Sequence, residues 1–336
     1  MPKVSVNLVT WNGERFIEDC LFSVLAQTFT DFSIVIIDNG STDRTVELIN
    51  ERFPHLKVVQ HKNNLGFAKA HNQAIHWSRS EYVICLNQDV ILEPDFLARL
   101  VEFMDAHPEA GSVTGKIFRW QDKEKTRYID SLGLAIQRNY RVSDIAAGKV
   151  DEGQFDRPSQ VFGASGCVPF YRRSALETVM FSNEYFDESF FSYKEDIDLA
   201  HRLFSAGWAA WFVPAAVAYH SRTIGAKPGR QNLKQLYAER RRRNRRANYW
   251  SYRNHWYFIL KNLPKFNWHF LAPVLGYEMG KFLFTLFFET ANLRAFIDLL
   301  SHRRELASKR AFILKNRKVN AEALDLVWSK KVEAKN

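Results

Sequence analysis

The first half of the chain alternates short β-branched runs with segments of helical periodicity, and this alternation constrains the fold more than any other feature. Such alternation is typical of an α/β fold, in which strands pair in a mostly parallel sheet and helices cover it. The pattern predicts strands at residues 4–10, 32–38, 57–60, 82–87 and 111–117. Apolar spacing of three and four predicts helices at residues 16–26, 42–52, 68–77 and 94–107.

Two details of the helix boundaries follow from local chemistry. Ser41 or Thr42 is expected to cap the second helix, and Pro94 is expected in the first turn of the fourth.

Residues 118–160 are polar and weakly periodic, which predicts an irregular insertion over the sheet edge, with a substrate-facing lid as one use. Residues 163–166 are small, and either a plain turn or close approach of a ligand to the backbone would explain them.

Polar side chains end three of the predicted strands, at Thr10 to Asn12, Asp38 to Ser41 and Asn87 to Asp89. Open α/β sheets bind ligands beyond this edge, so these side chains are candidates for a nucleotide site. A lone Asp after a strand is as often a turn residue, and for Asp38 both interpretations stay open. The chain has no GxGxxG after its first strand and no GxxxxGK[ST], which disfavours hydride transfer and P-loop ATPase chemistry.

An acidic cluster at Glu195, Asp196 and Asp198 lies about a hundred residues after Asp89 and follows an aromatic-rich stretch. Acidic residues are favoured in the first turn of any helix, so the cluster alone does not indicate catalysis. Neighbouring aromatic side chains can remove water from a carboxylate and raise its pKa toward base strength. Asp196 is therefore a candidate general base. His220 ends another predicted strand, at residues 211–219, and a structural role and a metal or phosphate role are equally open.

Charge is distributed unevenly along the 336 residues. Residues 1–220 hold 22 basic and 29 acidic side chains, and the remaining residues hold 25 and 8. The basic C-terminal part favours a polyanion, either a nucleic acid or an anionic membrane face. Residues 268–300 are apolar but interrupted by charges, which predicts helices lying in the headgroup region; a helix pair packed in the core is the alternative. The tail from His302 is basic and predicted to be helical.

The cellular setting is predicted from two further features. Cys20, Cys85 and Cys167 are far apart and lack metal-ligand spacing, which favours a reducing compartment. The short apolar run at residues 4–11 lacks the pattern of a secretory signal peptide. We therefore expect a cytoplasmic protein.

Six segments in order along residues 4 to about 262 resemble the family 2 glycosyltransferases of GT-A fold, in particular their rhamnosyltransferase-like branch. They are VSVNLVTWNG, LAQTFTDFSIVIIDNGSTDRT, NNLGFAKAHNQAI, YVICLNQDVILEPDFL, FDESFFSYKEDIDLAHRL and RNHWYFILKNLP. The resemblance implies a GT-A catalytic domain over residues 1–235, with a nucleotide-sugar half at about 1–117 and an acceptor half at about 118–235. Residues 236–336 would form a helical, membrane-associating extension.

The resemblance also implies roles for individual residues. Asp38 would bind the nucleobase, with Thr10, Asn12, Gly66 and Asn87 at the nucleotide pocket. Asp89 matches the last Asp of the DxD metal motif, whose first carboxylate is replaced here by Asn87. His220 matches a further metal or diphosphate ligand, Asp196 the catalytic base and Glu195 its neighbour.

Together these features predict an inverting hexosyltransferase that moves a sugar from a dTDP- or UDP-sugar, with dTDP-rhamnose as the first candidate, to a lipid-linked saccharide. Mg²⁺ or Mn²⁺ would neutralise the leaving diphosphate. The enzyme would act peripherally on the cytoplasmic face of the cell membrane, in cell-wall polysaccharide synthesis. Two alternatives are a sugar-nucleotide nucleotidyltransferase and a nucleic-acid-binding module built around residues 240–246.

Overall fold

The computed structural model describes residues 1–121, 124–221, 233–263 and 268–319. Its strands are β1 (Val4–Thr10), β2 (Phe32–Asp38), β3 (Val58–Gln60), β4 (Tyr82–Asn87), β5 (Val90–Leu92), β6 (Ala110–Gln121), β7 (Glu124–Ser131), β8 (Leu134–Ile136), β9 (Val142–Asp144), β10 (Ser159–Val161), β11 (Phe170–Arg172) and β12 (Ala209–His220). Its helices are α1 (Ile17–Leu25), α2 (Thr45–Arg52), α3 (Phe67–Trp77), α4 (Phe96–Ala106), α5 (Arg173–Thr178), α6 (Glu195–Ser205), α7 (Leu233–Arg242), α8 (Arg245–Asn262), α9 (Trp268–Phe288), α10 (Arg294–Ser301) and α11 (Arg303–Lys315).

Strands between residues 4 and 220 form a ten-stranded mixed sheet in the order β10-β12-β6-β11-β4-β1-β2-β3, with β5 beside β12 and β7 beside β6. Strands β1 to β4 are parallel. The short β11 lies antiparallel between β4 and β6, and β12 is parallel to β6. The carboxyl ends of β1, β2, β4, β6 and β12 therefore meet at one edge, which β11 approaches with its amino end.

Helices cover both faces of this sheet, as the side chains of β4 show. Tyr82, Ile84 and Leu86 pack with α1 and α4, whereas Val83 and Cys85 pack with α3, α5 and α6. Alternate residues of a strand point to opposite faces, so a strand buried on both faces reads as an unbroken apolar run. This explains why the bounds of β1, β2 and β4 agree with the sequence-based prediction.

Three local predictions were wrong. Helix α2 begins at Thr45 rather than at position 42, and Asp43 Oδ1 accepts the Thr45 N–H at 3.1 Å, so neither Ser41 nor Thr42 caps the helix. Pro94 precedes α4, which begins at Phe96.

Residues 118–160 are the third correction, because the described part of this insertion is ordered β structure rather than irregular chain. Strand β7 pairs with β6, and β8 with β9. Ile129, Leu132 and Phe155 pack against Phe212 of β12 in a small apolar core. The insertion buries its few apolar residues against a distant strand, which polarity along the sequence cannot reveal.

The C-terminal helices share a core with the part of the chain that contains the large sheet. Tyr257 and Phe258 of α8, Val274 of α9 and Leu306 of α11 pack with Phe190 and with residues of β8 and α6. Helix α8 is therefore a core-packed helix, and from the region at residues 268–300 Val274 of α9 joins the same core. Within the described ranges one helical segment, Leu271–Phe288, has the length and composition of a membrane-crossing helix, with mean hydropathy 1.2 and 17% of it buried.

Candidate active site

The loops after β1 and β2 form one hydrogen-bonded surface at the shared edge of the sheet. Asp38 is buried, its Oδ2 accepts the Ser41 N–H at 3.1 Å, and its Oδ1 accepts the Ser41 hydroxyl. Asn12 adopts φ 49° and its Oδ1 accepts the Thr42 N–H at 2.8 Å. Asp38 therefore fulfils the turn role considered for it, and each of its oxygens keeps a second lone pair for a ligand N–H.

Gln88 joins this surface to the end of β4. Its Oε1 accepts the Thr10 hydroxyl at 2.5 Å and the Trp11 N–H at 2.8 Å, and its Nε2 donates to the Trp11 carbonyl at 3.1 Å. Thr10 is fully buried, so its hydroxyl shapes the loop from within. Sequence reasoning missed Gln88, although it is the middle residue of Asn87-Gln88-Asp89, because only the folded chain places it beside Trp11.

Gly66 connects the nucleotide side of the site to the loop that precedes the acidic cluster. It adopts φ 87°, and a Cβ there would collide with the carbonyl oxygen and the ring of Phe191. Phe191 itself has φ 63°, and its carbonyl accepts the Ala68 N–H of α3 at 3.3 Å. The close approach requires a residue without a side chain, so position 66 has a structural role next to the predicted pocket.

Asp89 and His220 come together because β5 pairs with β12 in a register that places Val90 opposite His220. His220 Nε2 lies 3.4 Å from Asp89 Oδ2, and its Nδ1 donates to Asp130 Oδ2 at 2.8 Å. Burial opposes protonation of His220, but contacts with Cys167, Asp89 and Asp130 outweigh it and hold the pKa of the imidazole well above its ordinary value. Asp130 is a second site residue that sequence reasoning missed.

Asp196 lies at the start of α6 against Gly166. A Cβ at position 166 would lie 2.6 Å from Asp196 Oδ2, and Asp196 Oδ1 accepts the Ile197 N–H at 2.8 Å. Burial and the nearby charge of Asp144 raise the pKa of Asp196, while the Ile197 N–H opposes the rise. The direction of this shift suits a general base, because it strengthens the proton affinity of the carboxylate.

Glu195 differs from its neighbour in solvent access. It is 6% exposed, and its Oε2 has no hydrogen-bond partner within the described chain. Burial and the charge of Asp196 raise the pKa of Glu195 to about 8. Glu195 is therefore mainly protonated at neutral pH.

A chain of backbone contacts brings the two acidic regions to the same edge. The Asn87 N–H donates to the Cys167 carbonyl at 3.0 Å, and Gly166, one residue earlier, lies against Asp196. Val9, next to Thr10, pairs with Asn87. Thr10, Asp38, Asn87, Asp89 and His220 thus line the edge at which Asp196 also lies. Among the residues that the structure describes, no group of three or more His, Cys, Asp or Glu side chains forms a metal-holding cluster.

Helix α8 holds the loop that leads into α6. The Asn254 amide, fully buried, donates to the carbonyls of Phe190 at 2.8 Å, Ser192 at 2.9 Å and Tyr193 at 2.8 Å. Phe191, Tyr193 and Lys194 all have positive φ in this loop, a conformation that bulky residues adopt only when neighbours enforce it. Asn254 lies in the RNHW segment that the resemblance singled out, but its role was not predicted.

A family model, "Glycosyl transferase family 2", matches residues 5–180, which is more than half of the chain. The chain belongs to this family. As a family 2 member it is a glycosyltransferase enzyme, and the resemblance stated from the sequence is confirmed. Membership also removes support from the nucleotidyltransferase and nucleic-acid-binding alternatives.

Two curated relatives illustrate the range of similarity to this family 2 glycosyltransferase. The N-acetylglucosaminyl-diphospho-decaprenol L-rhamnosyltransferase of Mycobacterium tuberculosis is 30% identical over 236 residues, which is 63% of this chain and 74% of the relative. The poly-beta-1,6-N-acetyl-D-glucosamine synthase of Staphylococcus epidermidis is 25% identical over 321 residues, which is 88% of this chain and 72% of the relative.

Two solved structures show the fold. GalNAc-T7, crystallised with UDP, GalNAc and Mn²⁺, matches with a TM-score of 0.56 at 14% identity, over 77% of this chain and 47% of that one. TarS of S. aureus matches with a TM-score of 0.51 at 18% identity, over 94% and 54%. This chain spans about half the length of each. The predicted α/β fold of GT-A type, with C-terminal helices, is confirmed.

Proposed function

We propose that this chain is an inverting glycosyltransferase that moves a hexose from a nucleoside-diphosphate sugar to a hydroxyl of a lipid-linked saccharide in cell-surface polysaccharide synthesis. The contact between Gly166 and Asp196 supports this most, because it places a carboxylate of raised pKa at the edge shared by Asp38 and Asp89. One relative is a rhamnosyltransferase whose name includes a decaprenol-linked sugar, and this similarity favours dTDP-rhamnose as donor and a polyprenyl-diphosphate sugar as acceptor. A UDP-sugar is the other donor to test.

The proposed step exchanges one bond for another at the anomeric carbon of the donor. The acceptor hydroxyl oxygen attacks from the face opposite the diphosphate, and its proton passes to Asp196. The bond from the anomeric carbon to the diphosphate oxygen breaks, and its electron pair leaves with the diphosphate. Attack from the far side inverts the anomeric centre, and positive charge on the sugar ring develops as in glycoside hydrolysis.

The donor nucleotide would lie over the loops after β1 and β2. Asp38 would accept a base N–H through its remaining lone pairs, beside Thr10 and Asn12. Gly66 and Asn87 would border the same pocket on the sides of α3 and β4. This arrangement follows the rule that open α/β sheets bind nucleotides beyond the carboxyl ends of their strands.

The side chains of Asp89 and His220 suit a divalent cation. Asp89 Oδ2 and His220 Nε2 are 3.4 Å apart, and Asp130 holds the Nδ1–H of His220 so that Nε2 is directed toward Asp89. Asp89 and His220 would hold Mn²⁺ or Mg²⁺ together with the donor diphosphate, with the Nε2 proton of His220 released when the ion binds, and the ion would neutralise the growing negative charge of the diphosphate. Asp89→Ala is expected to weaken donor binding only when the metal is present; equal affinities with and without metal would contradict this role.

The C-terminal helices would hold the enzyme on the cytoplasmic face of the membrane. An exposed apolar face of α9 and α10 comprises Leu275, Met279, Leu283, Leu286, Phe287, Phe288, Ile297 and Leu300. Beside it lies a cavity of about 980 Å³ whose lining includes Arg240, Arg241, Arg245, Arg246 and Arg294. Apolar side chains next to clustered arginines suit the headgroup region of an anionic bilayer.

Charged side chains on the inner face of α9 favour a helix that lies on the membrane over a helix that crosses it. Glu278 is 4% exposed and bonds to His255 of α8 at 2.6 Å and to Lys281 at 3.2 Å. These charges fall inside the apolar segment Leu271–Phe288. An ionic cluster that faces the protein, opposite an apolar face that points away from it, is the arrangement of an interfacial helix.

The test is sugar transfer by the purified full-length chain. Thermal stabilisation by a panel of nucleotide sugars, with and without Mn²⁺, identifies the donor. Transfer to a polyprenyl-diphosphate N-acetylglucosamine is then followed by mass spectrometry, and NMR of the product shows whether the anomeric centre inverts. Asp196→Asn should abolish transfer and keep donor stabilisation, whereas retained transfer would refute Asp196 as the base.

A further inference from the structure

A second cavity, of about 590 Å³, lies between the catalytic part and the C-terminal helices. We call it the lysine cavity; its lining includes Arg141 before β9, Lys194 at the start of α6, and Lys281 of α9. Lys194 precedes Asp196 by two residues, so their Cα atoms are at most ~7 Å apart. The cavity therefore adjoins the segment of α6 that carries the proposed base.

The lysine cavity has more positive charge than its own acids neutralise. Glu278 pairs with Lys281 at 3.2 Å, and Arg240 pairs with Glu289 at the far wall. In the part of the chain that the structure describes, no carboxylate lies within ion-pair distance of Arg141 or Lys194. An anion that entered the cavity would find two basic side chains that no described carboxylate contacts directly, with Asp196 and Glu278 acting on Lys194 only from a longer distance.

The ionisation of the two lysines supports the same conclusion. Burial lowers the pKa of Lys194; Asp196 and Glu278 oppose the shift, and the nearby charge of Arg141 adds to it. Burial also lowers the pKa of Lys281 to about 7; Glu278 opposes the shift, and Lys194 adds to it. Cations held close together in a partly buried site gain from a bound anion, which restores their ordinary proton affinity.

The opposite wall of the cavity is apolar and open. Tyr252, Tyr277 and Phe284 contribute aromatic surface. Gly276 and Gly280, one turn apart on α9, have no atom of the described chain within 4 Å of a Cβ built on them. The other face of the same helix presents the exposed apolar side chains of Leu275, Met279 and Leu283. A ligand could thus place an anionic group on the cations and an apolar chain over the notch at Gly276 and Gly280. The chain would then point toward the exposed apolar side chains of α9.

We propose that the lysine cavity binds the diphosphate of a polyprenyl-diphosphate-linked acceptor, with Lys194 and Arg141 contacting the phosphate oxygens and the prenyl chain leaving past Gly276 and Gly280. This inference rests on the proposed transfer to a lipid-linked saccharide and adds the place where the lipid end of the acceptor is recognised. A diphosphate at Lys194 would put the first sugar of the acceptor beside Asp196, so one contact both selects the acceptor and positions its hydroxyl.

The first experiment compares two acceptors in neutral detergent micelles. One is a short-chain prenyl-diphosphate N-acetylglucosamine, and the other is a simple aryl glycoside of the same sugar without phosphate. Arg141→Gln should raise KM for the diphosphate acceptor about 10-fold or more, leave KM for the donor unchanged, and leave transfer to the aryl glycoside at the wild-type rate. Lys194→Gln should raise KM for the diphosphate acceptor by a similar factor relative to KM for the aryl glycoside; because the charge of Lys194 also lowers the pKa of Asp196, this variant is judged by that ratio and not by kcat. Lys194→Arg should restore most of the affinity. Arg304→Gln, an exposed cation of α11 outside both cavities, is the matched control and should match wild type.

A steric series gives a second, charge-neutral test. Gly280→Ala, Gly280→Leu and Gly280→Phe should fill the notch progressively and weaken binding of the prenyl-diphosphate sugar in that order. Folding should be preserved, because the new side chains meet open space and glycine is a poor helix former. Direct titration of the acceptor, without donor, measures this affinity even if no transfer occurs.

The outcomes separate this inference from the proposed function. If wild type binds the prenyl-diphosphate sugar but transfers nothing, the proposed function fails and the cavity assignment stands. If transfer occurs and the Lys194, Arg141 and Gly280 variants lose both acceptors equally, or lose neither, the cavity assignment is wrong. If the same variants instead lose binding to phosphatidylglycerol vesicles while keeping the acceptor affinity, the cavity recognises a membrane headgroup and the inference is also wrong.

Discussion

Gly166 leaves just enough room for the carboxylate of Asp196, since a Cβ at position 166 would lie 2.6 Å from Asp196 Oδ2 and 3.0 Å from its Cγ. The backbone of residue 166 is in turn next to Cys167, whose carbonyl accepts the Asn87 N–H. The position of the proposed base relative to the edge of the sheet therefore depends on a residue without a side chain.

Gly166→Ala should displace the Asp196 carboxylate and lower kcat by about 10- to 100-fold, because small misplacements of a reacting group are costly. Donor affinity, measured by thermal shift, should change little. In the Asp196→Ala background, which lacks the carboxylate that the new Cβ would meet, Gly166→Ala should cost less unfolding free energy than in wild type, since the two residues act through one interaction. Additive losses in this double-mutant cycle would show that Gly166 acts elsewhere.

Glu195→Gln should stabilise the folded protein as pH rises. The pKa of Glu195 is about 8 in the folded chain and near 4.5 when unfolded, so the folded state binds the proton more tightly. The free energy of unfolding of the wild type should therefore fall as pH rises from about 4.5 to 8. The variant with a neutral glutamine should not show this fall. We expect the variant to gain about 1–3 kcal/mol at pH 8.5 and almost nothing at pH 4.5. Denaturant unfolding at both pH values measures the difference; a gain of equal size at pH 4.5 would contradict the assignment.

Asn254→Ala should loosen the loop at residues 190–194 and lower kcat more than it raises the KM of the donor. The substitution leaves the carbonyls of Phe190, Ser192 and Tyr193 without their shared donor, at a cost of about 1–3 kcal/mol in stability. Asn248→Ala is the matched control, because this buried side chain of the same helix donates to the Arg240 carbonyl instead of to the loop. It should lose stability without a loss of kcat. Equal kcat for both variants would show that the loop is held by other contacts.

Lys309→Met should strongly destabilise the protein. Lys309 Nζ, 5% exposed as a residue, lies 2.5 Å from Asp187 Oδ1, and Lys261 also contacts Asp187. Without Lys309, Asp187 would depend on Lys261 alone, which it shares with Asp198, so the buried carboxylate would be only partly compensated, at a cost of about 3 kcal/mol. Lys315→Met, at an exposed position of the same helix, should stay within about 0.5 kcal/mol of wild type. Similar unfolding midpoints for the two variants would indicate that α11 is only loosely attached.

Phe287→Ser combined with Leu283→Ser should reduce binding to anionic vesicles by about 10-fold or more, because each substitution removes apolar area from the membrane face. Phe287 is 72% exposed, so folding should be unaffected. Co-sedimentation with phosphatidylglycerol vesicles measures the change. Trp77→Ser, which removes an apolar side chain exposed on α3, controls for non-specific hydrophobic binding to the vesicles. Equal losses for both would argue against a membrane face on α9.

The sequence predicted the strands whose burial is decided locally and missed what depends on distant partners. The apolar runs of β1 and β4 are buried on both faces, and that of β2 is buried at its carboxyl end, so pattern alone gave their bounds. Asp89 and His220 were both singled out, but their contact results from the pairing of β5 with β12, which periodicity does not specify. Asp130 lies in a segment whose strand forms only against β6, and for this reason its bond to His220 could not be predicted.

The contact of Gly66 with Phe191 joins the proposed nucleotide pocket to the loop that precedes α6. A nucleotide bound at the turn before α3 would also act on the loop that Asn254 holds, and a saccharide that moved this loop would shift the turn in return. Thermodynamic linkage would make this influence mutual, so that each substrate would alter the affinity for the other by the same factor. We therefore expect synergistic binding of donor and acceptor to depend on this one van der Waals contact.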